Sequence, residues 1–456
     1  MKSEVKNLFR KVLIANRGEI ACRIVRACEE LGIISAAVYS EADHQAEHVK
    51  MADEAYLIGP APVKESYLNI HSILQAAKDA GADAVHPGYG LLSENADFAK
   101  KCEREDITFI GPSPESMELM GDKISARKAM KNAEIPIIPG INQRVESVEA
   151  ALKDAEQIGY PVMLKASAGG GGIGMQKVNN EKELRKAFEG NKKRASDFFG
   201  NGTLYIEKII EHARHVEIQI LADQHGNVIH LGERDCSIQR RNQKVLEESP
   251  SPFINAATRQ KMGEAAIKAA EHIGYRNAGT IEFLVDDQQQ FYFLEMNTRL
   301  QVEHPVTEEV TNVDIVQWQL RVASGEILHI TQDSIIQNGH ALEARIYAED
   351  PSNFFPSPGK ITALTLPRGE HIRHECGVRE GIVVTPHYDP MIAKIITTGK
   401  DRHESINQMI SALNNYHVEG IKTNIPMILE VLNHQDFKQG QTTTAFVTDI
   451  LRSTNV

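Results

Sequence analysis

Thr280-Ile281-Glu282-Phe283-Leu284-Val285 and Phe291-Tyr292-Phe293-Leu294-Glu295-Met296-Asn297 are two strand-like stretches on either side of the polar run 286–290, Asp-Asp-Gln-Gln-Gln. This pattern predicts a β-hairpin. With the turn centred on Gln288 and Gln289, Glu282 lies directly opposite Glu295, and Asn297 projects from the same face. Directly opposed Cβ atoms are about 4.5–5.5 Å apart, so the two carboxylates repel each other.

The opposed glutamates predict a magnesium site. Two carboxylates and one amide oxygen are hard oxygen ligands, and Mg²⁺ binds such ligands while it also binds nucleotide phosphates. The alternative is a solvated strand face with two unrelated glutamates. The large apolar residues at the intervening positions of both strands favour a hairpin packed on a core. We therefore predict that the metal ligands are Glu282, Glu295 and Asn297.

The composition indicates a globular protein of several domains. The chain has 456 residues, of which 41% are hydrophobic and 25% charged, and this length predicts about two to four domains. It has 62 acidic and 50 basic residues, a net charge of −12. Such a balance argues against nucleic acid or an anionic membrane as the main partner.

The cysteine pattern and the hydropathy predict a cytoplasmic location. The five cysteines are scattered without a CxxC pair, so reduced thiols are expected rather than disulfides or a zinc site. The apolar run 12–15 is too short for the core of a signal peptide, and no stretch has the length of a membrane span.

Strand and helix signals alternate through the first third of the chain. Strands are predicted at residues 11–15, 35–40, 83–86 and 108–111, with helices after the first strand and at 70–80. Repeated βαβ units of this kind predict a parallel, doubly wound sheet. Pro112-Ser113-Pro114 interrupts the pattern and marks a predicted boundary.

Two further units are predicted beyond this boundary. A compact α+β unit extends over about residues 145–211, and the hairpin belongs to a larger unit that follows it. From about residue 340 the sequence is rich in short strands, Gly and Pro, and it ends in helices near 404–416 and 424–432. We interpret this last segment as a third domain packed on the second.

The glycine-rich run 168–174, Ala-Gly-Gly-Gly-Gly-Ile-Gly, has dinucleotide-type spacing in the wrong context. A dinucleotide fingerprint needs a helix directly after the glycines, whereas residues 175–178 alternate like a strand. The Walker pattern is absent as well. A glycine loop between two strands can cover a nucleotide and donate backbone N–H groups to its phosphates. Lys165 on the entering strand and Lys123 are the candidate counter-charges.

Several motifs resemble those of biotin carboxylases, in the same order and from about residue 9 to about residue 446. They are IANRGEIA at 14–21, HPGYG at 86–90, SEN at 93–95, MGDK at 120–123, RHVEIQ at 214–219, ERDCS at 233–237 and EMNTRLQVEHP at 295–305. The resemblance implies a Rossmann-like pre-ATP-grasp domain at 1–121, an ATP-grasp domain at 122–339 with a mobile lid at about 140–211, and a C-terminal biotin carboxylase domain at 340–456.

The activity implied by the resemblance is ATP- and bicarbonate-dependent carboxylation of biotin through carboxyphosphate. This is the first half-reaction of an acetyl-CoA or other acyl-CoA carboxylase, which supplies malonyl-CoA for fatty acid biosynthesis. ATP, Mg²⁺ or Mn²⁺, bicarbonate and biotin on a separate biotin carboxyl carrier protein are then required. Carboxyltransferase subunits are the further partners, and a homodimer is expected.

The family's functional residues are carried over position by position. The nucleotide-binding positions are Lys123, Lys165, Gly171, Gly172, Glu207, Lys208, Ile210, His215, Asn242, Glu282 and Glu295. The bicarbonate site corresponds to Lys244, Arg299 and Val302, the catalytic base to Glu303, and the biotin-facing arginine to Arg345. Arg299 and Lys244 suit a planar oxyanion, and Arg299 can also stabilise the enolate-like biotin anion.

Two positions depart from the pattern of the family. Ile173 occupies a place in the glycine loop where arginine or lysine is common, and Asn242 one where histidine is usual. Asparagine can still donate a hydrogen bond to nucleotide. Arg299 and Glu303, four residues apart, could also form an ordinary ion pair with each other. Ala129-Met130-Lys131 is similar to a biotin acceptor motif, but it lies in a predicted helix, so we interpret Lys131 as a solvated lysine.

Three alternatives to the leading function stay open at this point. The first is the biotin carboxylase subunit of a two-subunit pyruvate carboxylase. The second is a degenerate nucleotide-binding regulatory subunit, for which Asn242 is the only supporting feature. The third, a generic ATP-grasp ligase without biotin, is disfavoured by the motif at 295–305.

Overall fold

The computed structural model describes residues 8–167 and 175–453. Its first part consists of β1 (Lys11–Ile14), α1 (Gly18–Glu30), β2 (Ile34–Ser40), α2 (Glu47–Met51), β3 (Glu54–Gly59), α3 (Ile70–Ala80), β4 (Ala84–His86), α4 (Ala96–Arg104), β5 (Thr108–Phe109) and α5 (Pro114–Gly121). The strands form one parallel sheet in the order β3-β2-β1-β4-β5. The predicted parallel α/β architecture is confirmed.

A smaller antiparallel sheet follows in the chain. Its elements are α6 (Lys123–Asn132), β6 (Gly140–Val145), α7 (Val148–Ile158), β7 (Val162–Ala166), β8 (Met175–Val178), α8 (Glu181–Phe199) and β9 (Leu204–Lys208). The strand order is β6-β9-β7-β8. Val162, Leu164 and Ile206 point to one face of this sheet and form a core with Phe188 of α8. The glycine loop residues Gly171, Gly172 and Ile173 lie outside the described residues.

The largest sheet contains the hairpin that the sequence predicts. Its region begins with β10 (Arg214–Ala222), β11 (Val228–Arg240), β12 (Gln243–Ser249), α9 (Ala256–His272), β13 (Asn277–Val285), β14 (Phe291–Asn297), α10 (His304–Thr311) and α11 (Ile315–Ala323). Alternate residues of β10 and β13, among them Val216 and Phe283, join α9 in an apolar core. The remaining positions of these strands therefore face the opposite side, where the polar residues lie.

The C-terminal strands extend this same sheet. The last elements are β15 (His340–Tyr347), β16 (Gly359–Lys360), β17 (Ala363–Thr365), β18 (Ile372–Cys376), β19 (Val383–Val384), β20 (Met391–Gly399), α12 (Arg402–Asn414), β21 (His417–Glu419), α13 (Ile425–Asn433), α14 (Gln435–Lys438) and α15 (Phe446–Ser453). The full order is β14-β13-β10-β11-β12-β15-β20-β18. Backbone hydrogen bonding between β12 and β15 makes the sheet continuous across the predicted boundary at residue 340.

A β-bulge produces the pairing of Glu282 with Glu295. Val285 pairs with Phe291, and a regular hairpin with that turn would place Glu282 opposite Leu294. Leu294 instead has no partner in the ladder, so one extra residue on β14 shifts the register and brings Glu295 opposite Glu282. The predicted pair is confirmed, although the turn assumed for it is displaced by half a residue.

Two observations complete the fold. Lys131 is exposed in the last turn of α6, in agreement with its interpretation as a helix lysine. Within residues 8–167 and 175–453, the helices are too short or too polar to cross a membrane.

Candidate active site

The large sheet, the smaller sheet and the start of α6 enclose a cavity of about 520 Å³. Every predicted site residue within the described part of the chain lines it: Lys123, Lys165, Glu207, Lys208, Ile210, His215, Asn242, Lys244, Glu282, Glu295, Asn297, Arg299, Val302, Glu303 and Arg345. The fold therefore brings together residues that are up to 222 positions apart in the sequence, from Lys123 to Arg345.

Lys244 is at the centre of the charged groups in this cavity. Its Nζ lies 2.6 Å from Glu217 Oε2, 2.8 Å from Glu282 Oε1 and 2.7 Å from Glu303 Oε1. Burial by itself lowers the pKa of Lys244, but the surrounding acidic groups outweigh it and raise the pKa well above its usual range. Lys244 is therefore a firmly charged ammonium that neutralises part of a strongly acidic wall.

Glu217 belongs to the site although it was not among the predicted site residues. It lies on β10 directly opposite Glu282 on β13 and Arg234 on β11. Arg234 is fully buried, and its Nε donates to Glu217 Oε1 at 2.6 Å. The period-two run of His215, Glu217 and Gln219 along one strand was the available signal, because alternate residues of a strand share a face.

The hairpin carboxylates are each paired with a cation. Glu295 Oε2 lies 2.7 Å from Lys123 Nζ. Glu282 Oε1 lies 2.8 Å from Lys244 Nζ, and its Oε2 lies 3.2 Å from Nε2 of His215, whose pKa is raised chiefly by Glu282 against the effect of burial. Burial would raise the pKa of Glu282, but Lys244 and His215 lower it well below its usual range. The expected repulsion between the two glutamates is thus balanced within the protein by separate positive groups.

The donor set at the hairpin fits a hard divalent cation. Asn297 donates from Nδ2 to Glu282 Oε1 at 2.7 Å, and its Oδ1 accepts from Arg299 Nη2 at 3.3 Å. Ionised carboxylates and an amide oxygen on one face are the ligand types that Mg²⁺ prefers. His215, Glu217 and Glu282 also offer ligand atoms that lie within 4.8 Å of one another.

Glu303 lies between two cations at the start of α10. Its Oε1 contacts Lys244 at 2.7 Å, and its Oε2 accepts from Arg345 Nη2 at 2.8 Å. Burial acts to raise the pKa of Glu303, yet Lys244, Arg345 and Arg234 together hold it well below its usual range. The carboxylate is ionised, as a group that accepts a proton must be.

Arg345 is oriented by a second glutamate behind it. Its Nη2 lies 2.5 Å from Glu247 Oε1, and Glu247 is directly opposite Glu343 on the neighbouring strand β15. Burial raises the pKa of Glu247 to about 7, although Arg345 partly opposes this shift. Neither Glu247 nor Glu343 was predicted, because the contact of Glu247 with Arg345 and its position opposite Glu343 depend on the pairing of β12 with β15.

Arg299 does not pair with Glu303 but with a residue of the first sheet unit. Its Nε donates to Glu94 Oε2 at 2.9 Å, and Nη1 donates to the carbonyl of Leu300 and to Gln301 Oε1, each at 3.2 Å. The alternative of an ordinary Arg299–Glu303 ion pair is therefore wrong. Glu94 fixes the guanidinium at the rim of the cavity.

The smaller sheet contributes a second buried ion cluster. Glu207 Oε2 lies 2.5 Å from Lys165 Nζ, and Glu207 also pairs with Arg127 of α6. Burial raises the pKa of Glu207, but Lys165 and Arg127 outweigh it and lower the pKa. Arg127 additionally donates to the carbonyl of Ile138 at 2.7 Å, so the cluster lies where the smaller sheet joins the rest of the chain.

Asn242 has a structural reason to be asparagine. It follows Arg241 in the two-residue turn between β11 and β12. The φ value is 52° for Arg241 and 65° for Asn242. Positive φ at both central positions defines a type I′ hairpin turn, in which asparagine is favoured. The exposed side chain lies at the cavity lining.

Three family models match the chain. "Biotin carboxylase, N-terminal domain" matches residues 8–117, "Carbamoyl-phosphate synthase L chain, ATP binding domain" matches 122–331, and "Biotin carboxylase C-terminal domain" matches 343–449.

Similar proteins match over nearly their whole length. "Biotin carboxylase 2" of Bacillus subtilis (strain 168) is 62% identical over 440 residues, which cover 96% of this chain and 99% of that protein. A crystal structure of a Campylobacter jejuni biotin carboxylase–β,γ-ATP complex is similar with a TM-score of 0.96 at 48% identity, covering 98% of this chain and 100% of that one. The biotin carboxylase domain dimer of Hydrogenobacter thermophilus 2-oxoglutarate carboxylase, in complex with MgADP, ADP and bicarbonate, has a TM-score of 0.94 at 49% identity, covering 97% and 98% of the two chains.

Proposed function

Because the chain belongs to the biotin carboxylase family, we propose that its 520 Å³ cavity is the site at which bicarbonate, ATP and biotin react. The chain is an ATP-grasp ligase that carboxylates biotin in an ATP- and bicarbonate-dependent reaction. The observation that carries the residue assignment is the contact of one buried ammonium, Lys244, with both Glu282 of the hairpin and Glu303 at α10. This contact joins the nucleotide end of the cavity to the bicarbonate end.

Bicarbonate would bind at Lys244, Arg299 and the backbone of Val302. A guanidinium and an ammonium match the charge and the planar oxygens of this anion. Glu303 would then take the proton of bicarbonate as its oxygen attacks the γ-phosphorus of ATP, which releases ADP and forms carboxyphosphate. Proton transfer to a carboxylate held beside its acid is ordinary general base catalysis.

The cations around Glu303 set its strength as a base. Lys244 and Arg345 keep its pKa low, which makes Glu303 a weak base. Bicarbonate would share the same cations, so each would stabilise the Glu303 carboxylate less and its pKa would rise. Substrate binding thus moves Glu303 toward the proton affinity that the step needs.

Carboxyphosphate would decompose to CO₂ and phosphate inside the cavity. The phosphate would accept the proton of the ureido N1 of biotin, and N1 would attack CO₂ to give carboxybiotin. Arg345, positioned by Glu247 and Glu303, would face biotin, and Arg299 would stabilise the negative charge that develops on the ureido oxygen.

The nucleotide would occupy the end of the cavity that the hairpin and the smaller sheet form. Glu282, Glu295 and Asn297 would hold Mg²⁺ or Mn²⁺, which neutralises phosphate charge when bound. Proposed nucleotide contacts are Lys123, Lys165, Glu207, Lys208, Ile210, His215, Asn242 and the loop residues Gly171 and Gly172. The buried Lys165–Glu207 pair supports this assignment, because it fixes a lysine beside the loop that would cover the phosphates.

Biotin carboxylase subunits act together with carrier and carboxyltransferase partners. We propose that this chain works as a cytoplasmic homodimer with a separate biotin carboxyl carrier protein and carboxyltransferase subunits of an acetyl-CoA or other acyl-CoA carboxylase. Pyruvate as the final acceptor is the second candidate. The similar domain from a 2-oxoglutarate carboxylase at 49% identity illustrates that this half-reaction serves different acceptors. Identification of the co-purifying transferase separates these candidates.

We further propose three functional units with boundaries at 1–121, 122–339 and 340–456, and a mobile lid at about 140–211. The separate core around Val162, Leu164 and Phe188 supports an independently moving lid. The boundary at residue 340 would separate two functional units but not two sheets, because the large sheet continues from β12 to β15.

The test is ATP hydrolysis by the purified chain with and without bicarbonate, in the presence of free biotin. We expect ADP release to depend on bicarbonate and carboxybiotin to form with it. Equal hydrolysis without bicarbonate and no carboxybiotin would indicate a different ligase, and no nucleotide turnover at all would favour a regulatory subunit.

A further inference from the structure

Lys394 is a fully buried lysine to which none of the roles above refers. It lies on β20 with 0% of its surface exposed. Its Nζ donates to the backbone carbonyl of Val302 at 2.6 Å and lies 3.3 Å from Glu19 Oε1. Glu19 in turn accepts a short hydrogen bond from the hydroxyl of Tyr89.

Lys394 and its two partners come from distant parts of the chain. Glu19 belongs to α1 of the parallel-sheet unit, Lys394 to the C-terminal part of the large sheet, and Val302 to the loop between β14 and α10. Burying an ammonium is costly unless it is paired and hydrogen-bonded. The carboxylate of Glu19 offsets that cost and leaves Lys394 able to donate to a carbonyl. The ion pair therefore holds the ammonium in place for the hydrogen bond to the backbone.

The position of the carbonyl matters because of the peptide to which it belongs. The C=O of Val302 and the N–H of Glu303 are opposite ends of one planar peptide group. A bond to the carbonyl therefore fixes the rotation of that plane, and with it the point from which the Glu303 side chain leaves the backbone. Val302 has an apolar side chain, so its contribution to an anion site can come only from the backbone.

We propose that Lys394, held by Glu19, is a positioning residue that fixes the Val302–Glu303 peptide in the geometry required to bind and deprotonate bicarbonate. Lys394 does not touch the reacting atoms; it acts through the peptide. This inference rests on the proposed role of Val302 and Glu303 in the bicarbonate site. It assigns a role in bicarbonate binding to α1, which lies outside the ATP-grasp segment.

The test compares steady-state kinetics and thermal stability of Lys394→Met and Lys11→Met in the full chain. Lys11 is the matched control because it is buried and its Nζ contacts Glu54 Oε1 at 2.6 Å and the carbonyl of Ala80 at 2.8 Å, within the parallel-sheet unit. Both variants lose one buried ammonium with a carboxylate and a carbonyl partner. Both should therefore lower the Tm.

Only Lys394→Met should alter the use of bicarbonate. We expect its KM for bicarbonate to rise by roughly tenfold, the loss expected for one hydrogen bond to a charged donor. The Kd of Mg²⁺-ATP, measured by calorimetry, should stay within about twofold, and Lys11→Met should keep both constants. Glu19→Gln, which retains an acceptor without the full charge, should raise the KM for bicarbonate in the same direction by a smaller factor.

Two results would overturn the proposal. If Lys394→Met and Glu19→Gln lower the Tm but leave the KM for bicarbonate unchanged, the cluster only joins parts of the fold. If the KM for bicarbonate and the Kd of ATP change equally, the effect is general distortion of the cavity. Failure of the wild-type chain to need bicarbonate is a separate outcome, because it refutes the proposed function and not the role of Lys394.

Discussion

At the scale of single residues, the cavity is organised by buried glutamates that share few cations. Glu217, Glu282 and Glu303 all contact Lys244, and Glu303 shares Arg345 with Glu247. The removal of Lys244 would take one cation from three carboxylates at once, which would then rely on Arg234, His215 and Arg345 respectively. We infer that the arrangement is prepared for added positive charge, which Mg²⁺ would supply on the nucleotide side.

Glu247 gives the clearest pH dependence of stability. Burial raises its pKa from 4.5 to about 7, so between these values the folded state binds a proton that the unfolded state has released. Stability therefore falls as the pH rises through this window. A shift of this size corresponds to at most about 3 kcal/mol. Glu247→Gln, which stays neutral, should be increasingly favourable relative to wild type as the pH rises from about 5 to about 8.

Urea denaturation of both proteins at several pH values measures this difference. Glu233→Gln is a suitable comparison, because Glu233 is also fully buried and paired with an arginine, Arg259, away from the cavity. A stability difference between Glu247→Gln and wild type that stays constant over the pH range would show that Glu247 does not titrate there.

Asn242 can act through its side chain or through its backbone, and the two roles are separable. Histidine also tolerates positive φ better than most residues, so Asn242→His should keep the type I′ turn and place an imidazole at the nucleotide. We expect the KM for ATP to fall by a few-fold to tenfold, the range for one added neutral hydrogen bond.

Asn242→Gly is the control for this change. It keeps the turn, because glycine accepts positive φ without strain, and it removes the side chain. A modest rise in the KM for ATP is expected if asparagine contacts nucleotide. Should both variants leave this constant unchanged, the side chain points away and the residue serves the turn alone.

At the scale of elements, the bulged hairpin determines where the metal ligands lie. Opposed glutamates alone would predict that Glu295→Gln relieves repulsion and stabilises the apo protein. In the structure Glu295 is paired with Lys123, and Glu282 with Lys244 and His215, so the repulsion is already balanced. The Glu295–Lys123 ion pair is partly exposed, so its removal should lower the free energy of unfolding by about 0–1 kcal/mol.

We therefore expect Glu295→Gln to change stability little but to reduce Mg²⁺-ATP turnover sharply. Thermal unfolding without nucleotide and ATPase assays over a range of Mg²⁺ concentrations measure the two effects. A variant that loses several kcal/mol of stability yet keeps its turnover would show that this pair is structural.

The sequence predicted local elements better than long-range pairing. The parallel sheet and the hairpin follow from hydrophobic periodicity and turn residues, whereas the pairing of Glu282 with Glu295 was predicted from a turn half a residue away and is produced by a bulge. The bulge at Leu294 does not, because the alternation of Phe291 to Asn297 is compatible with either register. Glu217 and Glu247 were missed because their positions beside Glu282 and Arg345 depend on strands that are far apart in the sequence.

The motifs that resemble those of biotin carboxylases supplied the site residues that periodicity could not. The resemblance at 295–305 pointed to Arg299, Val302 and Glu303, and the fold brings all three to one cavity. It gave no indication of Glu94 as the partner of Arg299, or of Lys394 behind Val302. Both supporting residues are distant in the sequence from residues 295–305, so no local sequence pattern predicts their contacts.

At the scale of the whole molecule, the smaller sheet should close over nucleotide. Its Lys165–Glu207 cluster reaches α6 through Arg127, and its proposed phosphate-binding loop must approach the hairpin. We expect β7 and β8 to gain hydrogen-exchange protection on addition of Mg²⁺ and a non-hydrolysable ATP analogue, with hinges near residues 136–140 and just past 207–208. The parallel sheet of β1–β5 serves as the internal control, and equal exchange of β7 and β8 in both states would contradict closure.

The passage of an oxygen atom from bicarbonate to phosphate tests the central claim most directly. If Glu303 deprotonates bicarbonate and its oxygen attacks the γ-phosphorus, the purified chain supplied with ¹⁸O-labelled bicarbonate, Mg²⁺-ATP and biotin should release phosphate that contains one labelled oxygen per turnover. The reaction should be stopped before bicarbonate loses its label to water, and the released phosphate should then be analysed by mass spectrometry. Phosphate that carries only unlabelled oxygen would mean that ATP is hydrolysed by water, and the proposed chemistry of the cavity would be wrong.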